Sequence, residues 1–271
     1  MVVQHNMQAV NTNRMLGQNV KAVAKSTEKL SSGYAVNRAG DDAAGLSISE
    51  KMRNQIRGLN QAVKNSEDGI SLIQTAEGNM NEIHSILQRM GELAVKARND
   101  VNATEDRQTI QDEITQLKKE ICSITTKAEF NGTKLLNGNM SEGKMLQVGA
   151  NRGETMKIRI SGTSLAQLKI KDVEVTDGTK ASVAIGKIQS AIKNVSAQRS
   201  LLGAVQNRLE YTINNLENYS ENLTSAESQI RDTDMASEMV GFSKNQILQQ
   251  AAQSMLAQAN QSNQGVLSLL Q

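Results

Sequence analysis

The stretch GNMSEGK, Gly138 to Lys144, comes nearest to a chemical motif in this sequence. Two glycines five residues apart, followed by lysine, can cradle phosphate oxygens on backbone amides. The next position breaks the motif. Met145 stands where a Ser or Thr hydroxyl would hold magnesium, and the LQVG that follows has a strand pattern. A phosphate loop needs a helix there, whose N-terminal amides face the anion. The segment therefore reads as a glycine-rich turn.

Other reactive side chains are few and scattered. His5 and His84 fall on different predicted helices, and neither belongs to an HExxH zinc motif. Cys122 is alone, which excludes an internal disulfide and any cysteine-based metal cluster; next to Ile121 it reads as a small packed side chain. No serine is framed as GxSxG, and the carboxylates are spread along helix faces as solvated charge. Triplets such as Asn102-Ala-Thr104 and Asn131-Gly-Thr133 arise by chance in an Asn- and Ser-rich chain. No cofactor, metal site or enzyme is expected.

Composition narrows the class further. The 271 residues include no Pro, no Trp, two Phe and three Tyr, but twelve Met. Without large aromatic blocks, aliphatic side chains must carry the packing, which suits helix-on-helix seams. The 30 basic and 28 acidic residues leave a formal charge of +2, with no electrostatic footprint for nucleic acid. No apolar run approaches a membrane span. The start, MVVQHNMQAV, lacks a basic region followed by an apolar run, so no secretory signal peptide is expected.

The elements follow from periodicity. Met7, Val10, Leu16, Val20, Val23 and Leu30 give an amphipathic helix over about residues 1–33. SSGYAVNRAGDD breaks it, with Asp41 and Asp42 placed to cap the next helix. From Ala43 to about Ala97, Met52, Leu59, Ser66, Ile73, Met80, Leu87 and Ala94 recur every seven residues. At ~1.5 Å per residue that helix is roughly 80 Å long. Gly58, Gly69, Gly78 and Gly91 each weaken it by about 1 kcal/mol relative to Ala, so packing must hold it.

After a turn, with Thr104 as the expected N-cap, Ile110, Ile114, Leu117, Ile121, Ile124 and Ala128 alternate four and three. Asn131-Gly132 and Asn137-Gly138 signal tight turns. Around them MLQV, TMKIRI and the set Leu168, Ile170, Val173, Val175 alternate with period two, so a small β-region is expected from Phe130 to about Thr176. Helical period returns from Ala181, where Ile188, Val195, Leu202, Leu209, Leu216, Leu223 and Ile230 are seven apart. Residues 231–234 interrupt it, with Thr233 or Asp234 as the cap of a last helix. From Asn245 to Gln271 that helix has no charge, and Ile247, Leu248, Ala251, Ala252, Met255, Leu256 and Ala259 mark its apolar side. A lone helix would leave this face wet, so it needs a cover: the N-terminal helix, or other copies of the chain. The expected fold is mainly α, an elongated hairpin of long coiled-coil-like helices with a small β-hairpin region.

Long stretches resemble the bacterial flagellin family. KLSSGYAVNRAGDDAAGLSISEKMRNQIRGLNQA (29–62), EDGISLIQTAEGNMNEIHSILQRMGELAVKA (67–97) and EFNGTKLLNG (129–138) are similar to its N-terminal part. LLGAVQNRLEYTINNLENYSENLTSAESQIRDTDMASEM (201–239) and ILQQAAQSMLAQANQSNQGVLSLL (247–270) are similar to its C-terminal part. The resemblance implies that residues 1–36 and 235–271 pair as an inner-tube domain and that 42–230 form an outer-tube helical rod. Segments 37–41 and 231–234 then link them. The family's variable insert shrinks here to about residues 161–179, so no separate outer domain is expected.

By the same resemblance the chain is a self-assembling subunit of the flagellar filament. It is exported unfolded and secreted with the help of a flagellar export chaperone, and it meets filament cap and junction proteins. Expected assembly residues are Val10, Leu16, Val20, Val23, Ile247, Leu248, Ala251, Met255, Leu256, Leu267 and Leu270. The resemblance also implies a site for vertebrate Toll-like receptor 5 on Gln88, Arg89, Glu92 and Leu93, with Glu113 on the neighbouring helix. Gly91 departs from the family there, where well-recognised members have Arg. Asn263 stands where Pro is common, and Gln271 ends a chain that often ends in Arg. An alternative within the same apparatus is a hook–filament junction protein. A protease embedded in the variable insert would need a zinc motif there, which the sequence lacks.

Overall fold

The computed structural model describes residues 6–268, with side-chain surroundings for residues 6–262. Helices α1 (Met7–Ser32), α2 (Ala43–Arg98) and α3 (Thr104–Lys127) come first. Short strands β1 (Glu129–Phe130), β2 (Thr133–Lys134), β3 (Lys144–Gln147) and β4 (Thr155–Ile158) follow, then α4 (Gly178–Arg231) and α5 (Met235–Ser268). The chain divides into two compact units. One contains residues 1–54 and 221–271, the other residues 55–220.

The 55–220 unit is built around one apolar cluster. The seven-residue line of α2 is buried from Leu59 through Ser66, Ile73, Met80 and Leu87 to Ala94. Ile110, Ile114 and Ile121 of α3 and Ile188, Val195, Leu202 and Leu209 of α4 are buried in register with it. From Ile73 onward these residues form a single core with Ile158, Ile160 and Ile170. Periodic apolar spacing on each helix thus becomes one interior, because each stripe can leave water only against the others.

The β-region is smaller than its alternating pattern suggests. β1 and β2 pair antiparallel across the two-residue turn Asn131-Gly132, with Phe130 opposite Thr133. Both turn residues have positive φ, 46° and 72°, which is what a type I′ hairpin demands and Asn-Gly supplies. β3 and β4 pair from Lys144 opposite Ile158 to Gln147 opposite Thr155. Gly58 and Gly69 of α2 make room for this second hairpin. A Cβ on Gly58 would lie 2.9 Å from the Ala150 side chain, and one on Gly69 would lie 2.6 Å from Leu146 Cδ2.

Residues 161–177 form turns instead of the expected strand. Leu168, Ile170, Val173 and Val175 are buried, as their alternation implied, but Lys169 turns back at φ 55° between hydrogen bonds from Leu168 to Ser164 and Ile170 to Leu165. Two polar side chains of α3 hold this segment in place of a sheet. Lys118 Nζ donates to the carbonyls of Lys171 (3.1 Å) and Val173 (2.5 Å), and Gln111 Oε1 accepts the Val175 amide at 2.7 Å. Burial pushes the Lys118 ammonium pKa down.

The helix ends also sort the expected caps. Asp42 Oδ1 accepts the amides of Ala44 and Gly45, so Asp42 caps α2. Asp41 binds the Asn37 and Arg38 amides and Lys25. At α3 the helix starts on Thr104 itself, and the Asp106 carboxylate accepts the Ala103 amide in place of a Thr104 cap. Asp234, not Thr233, caps α5 by accepting from Ala236 and Ser237.

Candidate assembly interface

In the 1–54/221–271 unit, α1 and α5 pack along each other. They run antiparallel. Asn6 Nδ2 at the start of α1 donates to the Ala259 carbonyl (2.9 Å), and Lys29 near its end meets Glu238 at 3.5 Å. The row facing α1 is Phe242, Asn245, Gln249, Ala252, Leu256 and Ala259, in strict alternation of three and four. Leu16, Asn19, Val23 and Ser26 answer from α1. Polar residues in such a seam fix register at the expense of burial.

The apolar residues of both helices are therefore split between two surfaces. Leu16, Val23 and Leu256 are half-buried between the helices. Val10 (63 % exposed), Val20, Ile247 (65 % exposed), Leu248, Ala251 and Met255 lie outside it. The single apolar face expected for α5 is two faces: a seam on the three–four row, and an outer stripe through Ile247, Leu248, Ala251 and Met255. In this unit Val36 and Ala259 are the only buried apolar residues among those described. An outer stripe of this kind, on the part of α5 that has no charge from Asn245 onward, is a surface able to bury against another chain without stranding an ion. Leu267 and Leu270 lie outside the described side chains.

A small ladder closes the same unit. The Ala35 amide donates to the Arg231 carbonyl (2.7 Å) and the Thr233 amide to Gly33 (2.9 Å). Arg231 lies 4.6 Å above the Tyr34 ring and bonds Glu50 at 3.0 Å. The segment 231–234, read from sequence as a linker, is thus joined to residues 33–35, just ahead of the other expected linker at 37–41. A lone Tyr and a lone Arg in separate breaks carry no periodic signal, so sequence reading passed over this contact.

In the 55–220 unit, Arg89 donates from Nε and Nη2 to Glu113 (3.0 and 2.9 Å) and from Nη1 to Glu92 (3.1 Å). Those bonds, Glu113 first, raise the guanidinium pKa further. Gln88, Arg89, Glu92 and Glu113 are exposed together, whereas Leu93 is only 3 % exposed and belongs to the core. Gly91 has room: a Cβ would meet only Ile188, at 3.8 Å.

The remaining candidates do not form a site. Residues 138–143 form a turn leading into β3, with no helix behind the glycines. Cys122 is exposed on α3 and not packed as expected, because it sits one step off the buried row of Ile114 and Ile121. His84 neighbours Gln88 at 3.1 Å. Among the described residues no group of three metal-binding side chains occurs, and no helix is long and apolar enough to cross a membrane.

The geometry defines a helical structural protein with one closed unit and one unit whose apolar faces stay open. Comparison with known proteins narrows this class. Residues 3–141 match the bacterial flagellin N-terminal helical region, and residues 185–270 match the bacterial flagellin C-terminal helical region. The chain is 53 % identical to a flagellin of Halalkalibacterium halodurans and 50 % identical to a flagellin of Bacillus subtilis, in both cases over the whole of both chains. It is 47 % identical, again over both whole chains, to a flagellar filament 33 kDa core protein of Treponema phagedenis.

Among solved structures, Bacillus cereus flagellin superposes with a TM-score of 0.52 at 29 % identity, covering 56 % of this chain and 88 % of that one. A putative flagellar hook-associated protein of Vibrio parahaemolyticus shares the fold (TM-score 0.61, 12 % identity, 71 % of this chain and all of that one). The chain belongs to the bacterial flagellin family, a family of structural proteins and not of enzymes.

Proposed function

We infer that this chain is the repeating structural subunit of an extracellular bacterial flagellar filament. Copies associate through the apolar faces that α1 and α5 leave uncovered. The observation that carries this reading is the outer stripe Ile247, Leu248, Ala251 and Met255, exposed on a helix without charge from Asn245 onward. Burying it against a different patch of the next copy makes a heterologous contact, which propagates as an open helix instead of closing into a ring.

In that arrangement residues 1–36 and 235–271 line the inner tube and 42–230 the outer one, linked by 37–41 and 231–234. Val10, Leu16, Val20, Val23, Leu256, Leu267 and Leu270 join the assembly set, with Leu16, Val23 and Leu256 acting through the α1–α5 seam. An export chaperone holds the C-terminal helix before secretion, and cap and junction proteins meet the same faces. The test is seeded growth of the purified chain, followed by electron microscopy. The full chain forms long tubes. A chain lacking residues 245–271 stays monomeric with its 55–220 unit folded, and tubes from that truncation would overturn the reading.

The free subunit is also a ligand for vertebrate Toll-like receptor 5 through Gln88, Arg89, Glu92 and Glu113, with Leu93 holding the helix that presents them. Their shared exposure supports this reading. Gly91 lacks the five guanidinium donors of an arginine, so recognition is weaker than with Arg at that position. Gly91→Arg raises receptor activation in a reporter assay; equal activation by both chains would contradict the role given to Gly91.

A further inference from the structure

The methionines follow the contrast between the two units. In the 55–220 unit Met80, Met90, Met140 and Met156 are buried, and Met145 is exposed. In the other unit Met7 (70 % exposed), Met15, Met235, Met239 and Met255 (61 % exposed) all reach solvent, and Met52 is half-buried. Met7 lies one turn from Val10 on α1, and Met255 extends the outer stripe of Leu248 and Ala251 on α5. The open faces are thus rich in thioether sulfur, the one apolar group that mild oxidants convert into a polar group without breaking the chain.

We propose that Met7, Met15, Met235, Met239 and Met255 are oxidative modification sites that switch self-association off in the free subunit. The proposal rests on the filament-subunit reading. The oxidant is a peroxide. The sulfur lone pair attacks one oxygen of hydrogen peroxide, the O–O bond breaks, an S–O bond forms, and the other oxygen leaves as water after proton transfer. The thioether loses two electrons and the peroxide gains them. A thiol-dependent methionine sulfoxide reductase reverses the change: the S–O bond breaks, the oxygen leaves as water, and two thiols become a disulfide.

A sulfoxide oxygen on these faces must find a hydrogen-bond donor or stay wet. The facing surface of another copy is expected to be apolar, so association weakens. Once copies have buried the faces, peroxide no longer reaches the sulfurs. Oxidation then separates two pools: free chains are sensitive and assembled chains are protected. The buried Met80, Met90 and Met140 provide an internal control, because loss of the fold would expose them too.

The experiment uses the full chain in a Cys122→Ser background, since the exposed thiol also reacts with peroxide. Monomer is treated with hydrogen peroxide, mapped by peptide mass spectrometry, checked by circular dichroism and added to filament seeds. The expected result is sulfoxide at the five sites and at the exposed Met145, with Met80, Met90 and Met140 unchanged and an unchanged helical spectrum. Seeded growth falls by about tenfold or more, the equivalent of one 1.4 kcal/mol contact per added copy, and recovers after reductase treatment.

A variant with all five residues changed to Leu keeps its growth after peroxide. If that variant fails to grow even untreated, reductase recovery of the Cys122→Ser chain decides alone. Undiminished growth of the oxidised chain overturns the proposal, as does loss of growth that reductase does not restore, while the subunit reading stands. Failure of the untreated chain to grow refutes the subunit reading itself, and this proposal with it.

Discussion

The two compact units solve the same packing problem in opposite ways. Residues 55–220 close three helical stripes and two hairpins over one apolar core, from Ile73 to Leu209. Residues 1–54 and 221–271 have helices as regular, yet bury among their described apolar residues only Val36 and Ala259. Their seam includes Asn19, Asn245 and Gln249, while Val10, Ile247 and Met255 face outward. A tertiary core is built to be complete in one chain. On the proposed reading the α1–α5 pair is completed by other copies, which cover the apolar side chains left outside its seam.

That contrast can be broken by substitution. Ile247→Asp places a charge on the outer stripe and is expected to abolish seeded filament growth. The monomer's melting curve stays within about 0.5 kcal/mol of wild type, as for other surface changes. Leu87→Ala is the converse: it opens a cavity in a fully buried site and lowers monomer stability by about 2–5 kcal/mol in chemical denaturation. If Ile247→Asp unfolds the monomer, or Leu87→Ala leaves it unchanged, the distinction between the units fails.

Smaller changes sharpen it. Arg231→Met removes the Glu50 bond and the Tyr34 stack, and about 1–3 kcal/mol of local stability follows, read as faster amide exchange at Ala35 and Thr233. Gly78→Ala stabilises α2 by up to about 1 kcal/mol because nothing approaches its missing Cβ. Gly58→Ala gives no such gain, since Ala150 must move. The smallest effect is acid-dependent. Hydrogen bonds from Lys25 and from the Arg38 and Asn37 amides hold the Asp41 carboxyl below its ordinary 3.8. A depressed carboxylate stabilises the fold above its unfolded pKa, and that contribution fades as pH falls below about 3.8 and through the lower folded value. Asp41→Asn abolishes this part of the pH dependence, seen as amide exchange at Asn37 and Arg38.

Much of the closed unit was legible in the sequence. The apolar lines are buried where spacing put them from Leu59 to Ala94 of α2, at Ile110, Ile114 and Ile121 of α3 and from Ile188 to Leu216 of α4, with Leu117 and Ile124 half-buried, and Asn131-Gly132 makes the turn its dipeptide announces. Local chemistry dictates such features, so they survive without tertiary information. That turns replace the strand expected near Val173 was not legible, because Lys118 and Gln111, far away in sequence, supply the hydrogen bonds that a sheet would have supplied. The split of α5 into seam and stripe was hidden for another reason. Counting only apolar residues merges Ala252 and Leu256 with Ile247 and Met255, whereas the row from Phe242 to Ala259 separates them once Asn245 and Gln249 are included. Exposure of Cys122 follows from one residue of helical phase.

The central claim is that the outer stripe of α5 is an assembly surface and not an incidental patch. The most direct measurement is filament elongation from seeds by wild type and Ile247→Asp at equal concentration of folded monomer, scored by electron microscopy. The account predicts long tubes from wild type and none from the variant. Tubes of equal length and number from both would contradict it.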